Sequence, residues 1–355
     1  MVATSEFAER LKKLQKMVDG NILLTSSKNI FYFSGFIAEG FERLIALVVD
    51  ESGPVLIVPA LHKDEASELE SGIDVVSWDD SQNPVEILLS YLRGSRYTHV
   101  EGDLKAGLYV GIPGTKKFLD QEVESLRSVK SEGEIASMKK AAEIAEKSFE
   151  QTIQNLKEGI TEQHVASILE QAFRENGSQS PAFQAIVSFG ANGADPHHLP
   201  NNTRLKRGEG AVIDFGCVYD HYCSDTTRTV FFGKPSPEFE RIYNIVLEAQ
   251  ETGCSSLKPG KTGAQIDGIV REIITRAGYG ERFIHRTGHG IGLDVHESPY
   301  VDQKNKIGFQ PGNCVTIEPG IYITGKFGIR IEDFLLVKNN GSRNFNDLSK
   351  ELTTI

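Results

Sequence analysis

Five side chains in the C-terminal part of the 355-residue sequence are of the types that bind divalent cations: Asp214, Asp225, His289, Glu318 and Glu332. They stand in five short segments: Val212-Ile213-Asp214-Phe215-Gly216, Ser224-Asp225-Thr226-Thr227-Arg228, Thr287-Gly288-His289-Gly290-Ile291-Gly292, Ile317-Glu318-Pro319-Gly320 and Gly328-Ile329-Arg330-Ile331-Glu332-Asp333. Four carboxylates with one imidazole suit Mn, Co or Zn better than a structural zinc bound through sulfur. Apolar, β-branched surroundings bury such groups, and two buried carboxylates about 4 Å apart repel by roughly 4 kcal/mol at an effective dielectric near 20. Cations offset that repulsion, so the pattern implies metal-assisted chemistry rather than solvated acids.

The elements that carry these residues can be read from the flanking alternation. Residues 211–215 and 222–232 are strand-like and separated by a turn at 218–221, which predicts a hairpin with one aspartate on each arm. Residues 314–323 and 328–337, separated by the turn-prone stretch 324–327, repeat the device with the two glutamates. Two carboxylate-bearing hairpins would then face each other. Arg330 lies two residues before Glu332, which in an extended strand puts both side chains on one face and makes Arg330 a clamp for that glutamate.

In these segments the chain resembles the proline-specific branch of the pita-bread metallopeptidases, the prolidases (Xaa-Pro dipeptidases) and aminopeptidase P. The resemblance spans essentially the whole length, and none of the five residues departs from the pattern. It implies a centre of two divalent metal ions, Mn, Co or Zn. Asp214 would hold one ion, His289 and Glu318 the other, and Asp225 and Glu332 would bridge them. It also implies roles for His197, His285 and His296: His197 and His296 hold the scissile carbonyl and the substrate backbone, and His285 supports the metal centre. His198 beside His197 is an ambiguous neighbour. Glu318 would shuttle the proton and His296 would stabilise the oxyanion. Phe183 aligns near the substrate pocket, and Arg330 joins the substrate-binding set. A hydroxide bridging the two metals is the expected nucleophile, because coordination lowers the pKa of water. The proline nitrogen, which bears no N–H, is the special feature of the substrate.

The implied function is hydrolysis of the Xaa-Pro bond. A dipeptidase acting on small proline-containing peptides is favoured, with an aminopeptidase P acting on longer peptides as the alternative. Some prolidases place an arginine soon after the second histidine motif, where this chain has Tyr300. Arg286, Arg330 or His197 could then take part in carboxylate recognition. A noncatalytic binding protein on the same scaffold is a second alternative, disfavoured because such relatives lose ligands. The Gly288–Gly292 stretch lacks the full dinucleotide-binding spacing and a preceding strand.

The fold class expected is α+β. An N-terminal α/β domain over 1–122 would precede a pita-bread catalytic domain over 123–355, with a curved antiparallel sheet and helices on its outer face. In the first domain a helix bearing Phe7, Leu11, Leu14 and Val18 precedes strands at 21–25, 43–49 and 55–59. The segment 29–36 matches the family domain that closes the substrate site, often against a partner subunit. The acid-rich stretch 121–134 reads as a connector, followed by paired helices over 132–156 with 161–176 and 236–257 with 262–277.

The net charge of −11, with 39% hydrophobic and 25% charged residues, describes an ordinary globular protein and argues against a nucleic-acid partner. Arg204, Lys206 and Arg207 read as a turn surface. No apolar stretch approaches the roughly 20 residues that span a bilayer, and the N-terminus has no signal core, so no membrane partner and a cytoplasmic location are expected. Cys217, Cys223, Cys254 and Cys314 show no CxxC pairing, which predicts neither a zinc knuckle nor a disulfide framework. The resemblance implies a homodimer.

Overall fold

The structure, a computed structural model, describes residues 4–38, 40–69, 72–92 and 96–355. The chain divides into two compact units, residues 2–127 and residues 128–355. In the first, helix Thr4–Met17 is followed by a mixed sheet whose strand order is Asp74–Trp78, Gly53–Pro59, Ala46–Asp50, Asn21–Leu24, Tyr97–Val100 and Thr115–Phe118. The parallel pairs are Gly53–Pro59 with Asp74–Trp78, Asn21–Leu24 with Tyr97–Val100, and Tyr97–Val100 with Thr115–Phe118. Leu23, Val48, Ile57, Trp78, Leu88 and Val100 fill its core. The segment 29–36 is helical over Ser27–Ser34 and ends at Gly35, whose φ of 80° supplies the left-handed cap.

The acid-rich stretch 121–134 is not a linker. Most of it forms helix Asp120–Ser128, which buries Val123; Tyr32 donates to Leu126 O and Arg127 to Asn29 Oδ1. These ties carry the first unit on to Arg127 rather than ending it at 122. The helix that follows, Glu132–Ile153, starts at a capping box in which Ser131 Oγ accepts from Glu134 N and Glu134 Oε2 accepts from Ser131 N.

The second unit repeats one plan. Helices Glu132–Ile153 and Glu162–Glu175 pack on a sheet ordered Thr226–Phe232, Glu209–Phe215, Ile186–Phe189. Ile135, Met138, Ala142, Ala145 and Phe149 are buried along the first helix, and Phe149 stacks on Phe215 with centroids 4.8 Å apart. Helices Pro237–Ser256 and Gly263–Arg276 then precede an antiparallel sheet ordered Glu297–Val301, Gly288–Gly290, Cys314–Ile317, Asp333–Val337, Ser342–Asn344. Ser236 and Thr262 cap these helices through their side chains. The four cysteines are free and buried.

Both expected hairpins form, and each is broken in the middle. In the first, Glu209–Phe215 pairs with Thr226–Phe232, while Cys217–Tyr219 pairs with Tyr222–Cys223 in another sheet. Asp220 and His221, with φ of 48° and 70°, make the turn. In the second, Cys314–Ile317 pairs with Asp333–Val337 and Gly320–Ile323 with Phe327–Arg330. The breaks fall at Gly216 opposite 224–225, and at 318–319 opposite 331–332. A Cβ on Gly216 would lie 2.0 Å from Ser224 O, so only glycine lets the first hairpin fold over itself there.

Candidate metal centre

The hairpin breaks deliver the carboxylates. Asp225, Glu318 and Glu332 sit at the breaks themselves and Asp214 two residues before Gly216, while His289 is the central residue of Gly288–Gly290. The hairpins are stitched together by Glu332 N to Thr227 O at 3.1 Å and by Thr229 Oγ1, which donates to Arg330 O at 2.9 Å. Ligand atoms of Asp225, His289 and Glu332 all lie within 4.8 Å of one another. His289 Nε2 is 3.6 Å from Asp225 Oδ2 and 3.4 Å from Glu318 Oε1.

The imidazole is oriented by its other nitrogen. His289 Nδ1 lies 3.0 Å from Gly290 O, and a carbonyl can only accept, so the proton is on Nδ1 and the Nε2 lone pair faces the carboxylates. Thr227 donates to Glu332 Oε2 at 2.8 Å, and Arg330 Nη2 donates to Asp214 Oδ2 at 2.7 Å. Asp214 Oδ1, Asp225 Oδ1 and Glu332 Oε1 are buried with no hydrogen-bond partner. Three orphaned carboxylate oxygens beside an imidazole lone pair are the donor set a divalent cation requires.

The electrostatics agree. Burial, and then the neighbouring carboxylates, hold the Asp225 and Glu332 carboxyls well above the usual range. Glu318 is pushed up to about 8, chiefly by burial, with Arg330 opposing. Burial keeps His289 well below its ordinary value and therefore neutral, as a ligand must be.

Around this cluster opens a cavity of about 600 Å³ with Phe183, His197, His285, His296 and Arg330 in its wall, so the expected metal ligands and these five residues line one space. Such a volume suits a small ligand. His296 packs edge-on against His289, centroids 4.2 Å apart, and His197 is exposed to the cavity. His198 points elsewhere: it bonds Glu162 Oε2 at 2.8 Å, and the fully buried Glu162 also accepts from Phe189 N, Asn192 Nδ2 and Asn201 N. Glu162 thereby fastens the loop that carries His197.

One expected arrangement differs in detail. Arg330 clamps Asp214 and not Glu332, because the strand ends at Arg330 and the break at 331–332 cancels the two-residue parity. It reaches Glu332 only through Thr227 Oγ1, which accepts from Arg330 Nε at 3.0 Å. His285 has both ring nitrogens committed, Nδ1 to Arg286 O at 2.7 Å and Nε2 to Tyr322 OH at 2.8 Å, and burial lowers its pKa to about 3. It is a neutral support with no nitrogen left over for a ligand.

The model of metallopeptidase family M24 matches residues 136–339. The chain belongs to that family. The creatinase/prolidase N-terminal domain matches residues 9–129. An uncharacterized peptidase of Staphylococcus aureus is 40% identical over 325 residues, 90% of this chain and 92% of its own. Among solved structures, a Xaa-Pro dipeptidase from Bacillus anthracis superposes with a TM-score of 0.94 at 33% identity, covering 98% of this chain and 100% of that one. An X-Pro aminopeptidase from Thermotoga maritima gives 0.88 at 32%, covering 96% and 99%. The protein is thus a metal-dependent peptidase of the pita-bread fold, and divalent-metal use goes with M24 membership.

Three residues of the M24 site escaped the sequence reading: Tyr322, Thr227 and Glu162. Tyr322 joins His285 to Arg330, whose Nη1 donates to its hydroxyl at 3.0 Å. A signal for it existed. Tyr322 pairs with Gly328 and Arg330 with Gly320, so the two long side chains lie on one face opposite two glycines that leave them room. Among the described residues, no helix is long and apolar enough to cross a membrane.

Proposed function

We propose that the protein hydrolyses the Xaa-Pro bond of small peptides with two divalent cations, Mn, Co or Zn, held by Asp214, Asp225, His289, Glu318 and Glu332, and that dipeptides are the preferred substrates. The observation that carries this reading is the set of orphaned oxygens on Asp214, Asp225 and Glu332 around the neutral His289. When bound, the cations supply a water of lowered pKa and polarise the scissile carbonyl. Glu318, half-buried in the cavity wall, takes the proton from the attacking water and returns it toward the leaving nitrogen. His296 and His197, exposed in the wall, orient the carbonyl and bear the charge that develops on its oxygen. Phe183, Ile186 and Leu199 give the wall an apolar side for the proline ring.

The intact donor set favours an enzyme over a noncatalytic binder. Cleavage of longer peptides is the second reading, prompted by the likeness to the Thermotoga maritima aminopeptidase. The proposal takes the protein as a cytoplasmic homodimer, in line with the resemblance to prolidases; size-exclusion chromatography and fractionation test both points. The test of activity is hydrolysis of a Xaa-Pro dipeptide beside a Xaa-Pro-Xaa tripeptide by protein stripped with chelator and reloaded with Mn, Co or Zn. Metal-restored cleavage favouring the dipeptide is expected. Faster tripeptide cleavage would move the assignment to an aminopeptidase, and no cleavage with metal bound would refute the reading.

A further inference from the structure

The cavity wall carries two guanidinium groups, and they are used differently. Arg330 spends its donors inside the protein, on Thr227 Oγ1, Tyr322 OH, Pro196 O and Asp214 Oδ2. It has five N–H groups, so four are committed. The half-buried Arg286 makes no ion pair and donates no hydrogen bond from its side chain among the described residues. Its guanidinium lies over the ring of Tyr300, 4.6 Å from the centroid. A guanidinium held against an aromatic face is restrained in position while its N–H donors remain free for a ligand.

The backbone beneath Arg286 is equally fixed. Its carbonyl accepts from His285 Nδ1, His285 O accepts from Arg271 Nη2 at 2.9 Å, and Thr287 is tied through Oγ1 to Asp267 at 2.8 Å and through N to Val301 O at 3.0 Å. His285 and Arg286 also line a neighbouring cavity of about 320 Å³, so together they form the partition between the two spaces. A planar fork with unspent donors, held rigidly in the wall of a peptide site, matches a planar anion in two parallel hydrogen bonds.

We propose that Arg286, stacked on Tyr300, receives the free α-carboxylate of a dipeptide and so sets the length of substrate the enzyme prefers. The inference rests on the Xaa-Pro reading above and sharpens it. A longer peptide presents a neutral amide to Arg286 and meets the partition instead of ending at it. Arg286 is a specificity-determining residue, and Tyr300 positions it.

The test compares a Xaa-Pro dipeptide with the corresponding Xaa-Pro-amide, on the metal-loaded full-length protein and its variants Arg286→Ala, Arg286→Lys and Tyr300→Leu. Arg286→Ala is expected to lose about 10- to 100-fold in kcat/KM on the acid, mostly through KM, with little change on the amide. Arg286→Lys restores part of the loss, and Tyr300→Leu shows a smaller loss confined to the acid. Retained amide cleavage shows that each variant is folded and loaded. Equal losses on acid and amide, or an unchanged acid, would overturn the role of Arg286 while leaving the Xaa-Pro reading intact. Cleavage of neither substrate by wild-type protein with metal bound would remove that reading and this inference with it.

Discussion

The clustered carboxyls of Asp225, Glu318 and Glu332 have a consequence for stability, because each holds its proton more tightly in the folded chain than in the unfolded one. An unfolded glutamate gives up its proton near pH 4.3, whereas Glu318 in the fold does so at about 8. Between those limits the folded state binds more protons, so the contribution of Glu318 to stability falls as pH rises and levels off above about 8, and the raised Asp225 and Glu332 act in the same direction. Divalent cations replace those protons, and burial, which holds the His289 pKa well below its ordinary value, keeps the imidazole from competing strongly for them. The gain in Tm on loading stripped protein with Mn should therefore grow as pH is raised across that window. Thermal unfolding of stripped and loaded protein in a series of buffers measures it, and a gain independent of pH would show that the carboxyls are not protonated in the metal-free fold.

Among the elements, the broken hairpins matter most, and glycine is what permits close approach beside the ligands. A Cβ at Gly288 would stand 2.0 Å from Thr316 O, a backbone atom that no rotamer change can move. Gly288→Ala must push Gly288–Gly290 away from Cys314–Ile317 and displace His289, so metal affinity should drop by roughly 10-fold or more. Gly268→Ala, in helix Gly263–Arg276 with nothing within 4 Å, is the control and should stabilise by about 0.5–1 kcal/mol. Calorimetric metal titration of both variants measures the effect, and wild-type affinity in Gly288→Ala would contradict it. The hairpins were legible because alternation and turn residues act locally. Their breaks were not, since a break is decided by what glycine and proline allow against a distant strand. Arg330 was assigned to Glu332 for that reason, and Glu162 and Thr227 were missed because their partners lie 27 or more residues away. The stretch 121–134 looked like a connector because its acids mask the buried Val123 and the Arg127–Asn29 bond that tie helix Asp120–Ser128 to the first unit.

Taken as a whole molecule, the chain carries a formal charge of −11, and part of that negative charge is gathered around one cavity of about 600 Å³. Cations held there stabilise the folded state by mass action, about 2.7 kcal/mol at a hundredfold excess over Kd. Likeness to relatives over nearly their full length establishes the family, while the local stacking of Arg286 on Tyr300 is what would set substrate length. The activity, and with it any role of Arg286 in substrate length, depends on the five-residue cluster holding metal. The deciding experiment is elemental analysis of wild-type protein and Glu332→Gln after stripping, reloading with Mn and desalting. About two ions per chain are expected for the wild type and at most about one for the variant. A wild type that retains none, or a variant that retains as many as the wild type, would contradict the assignment of this cluster as the metal centre.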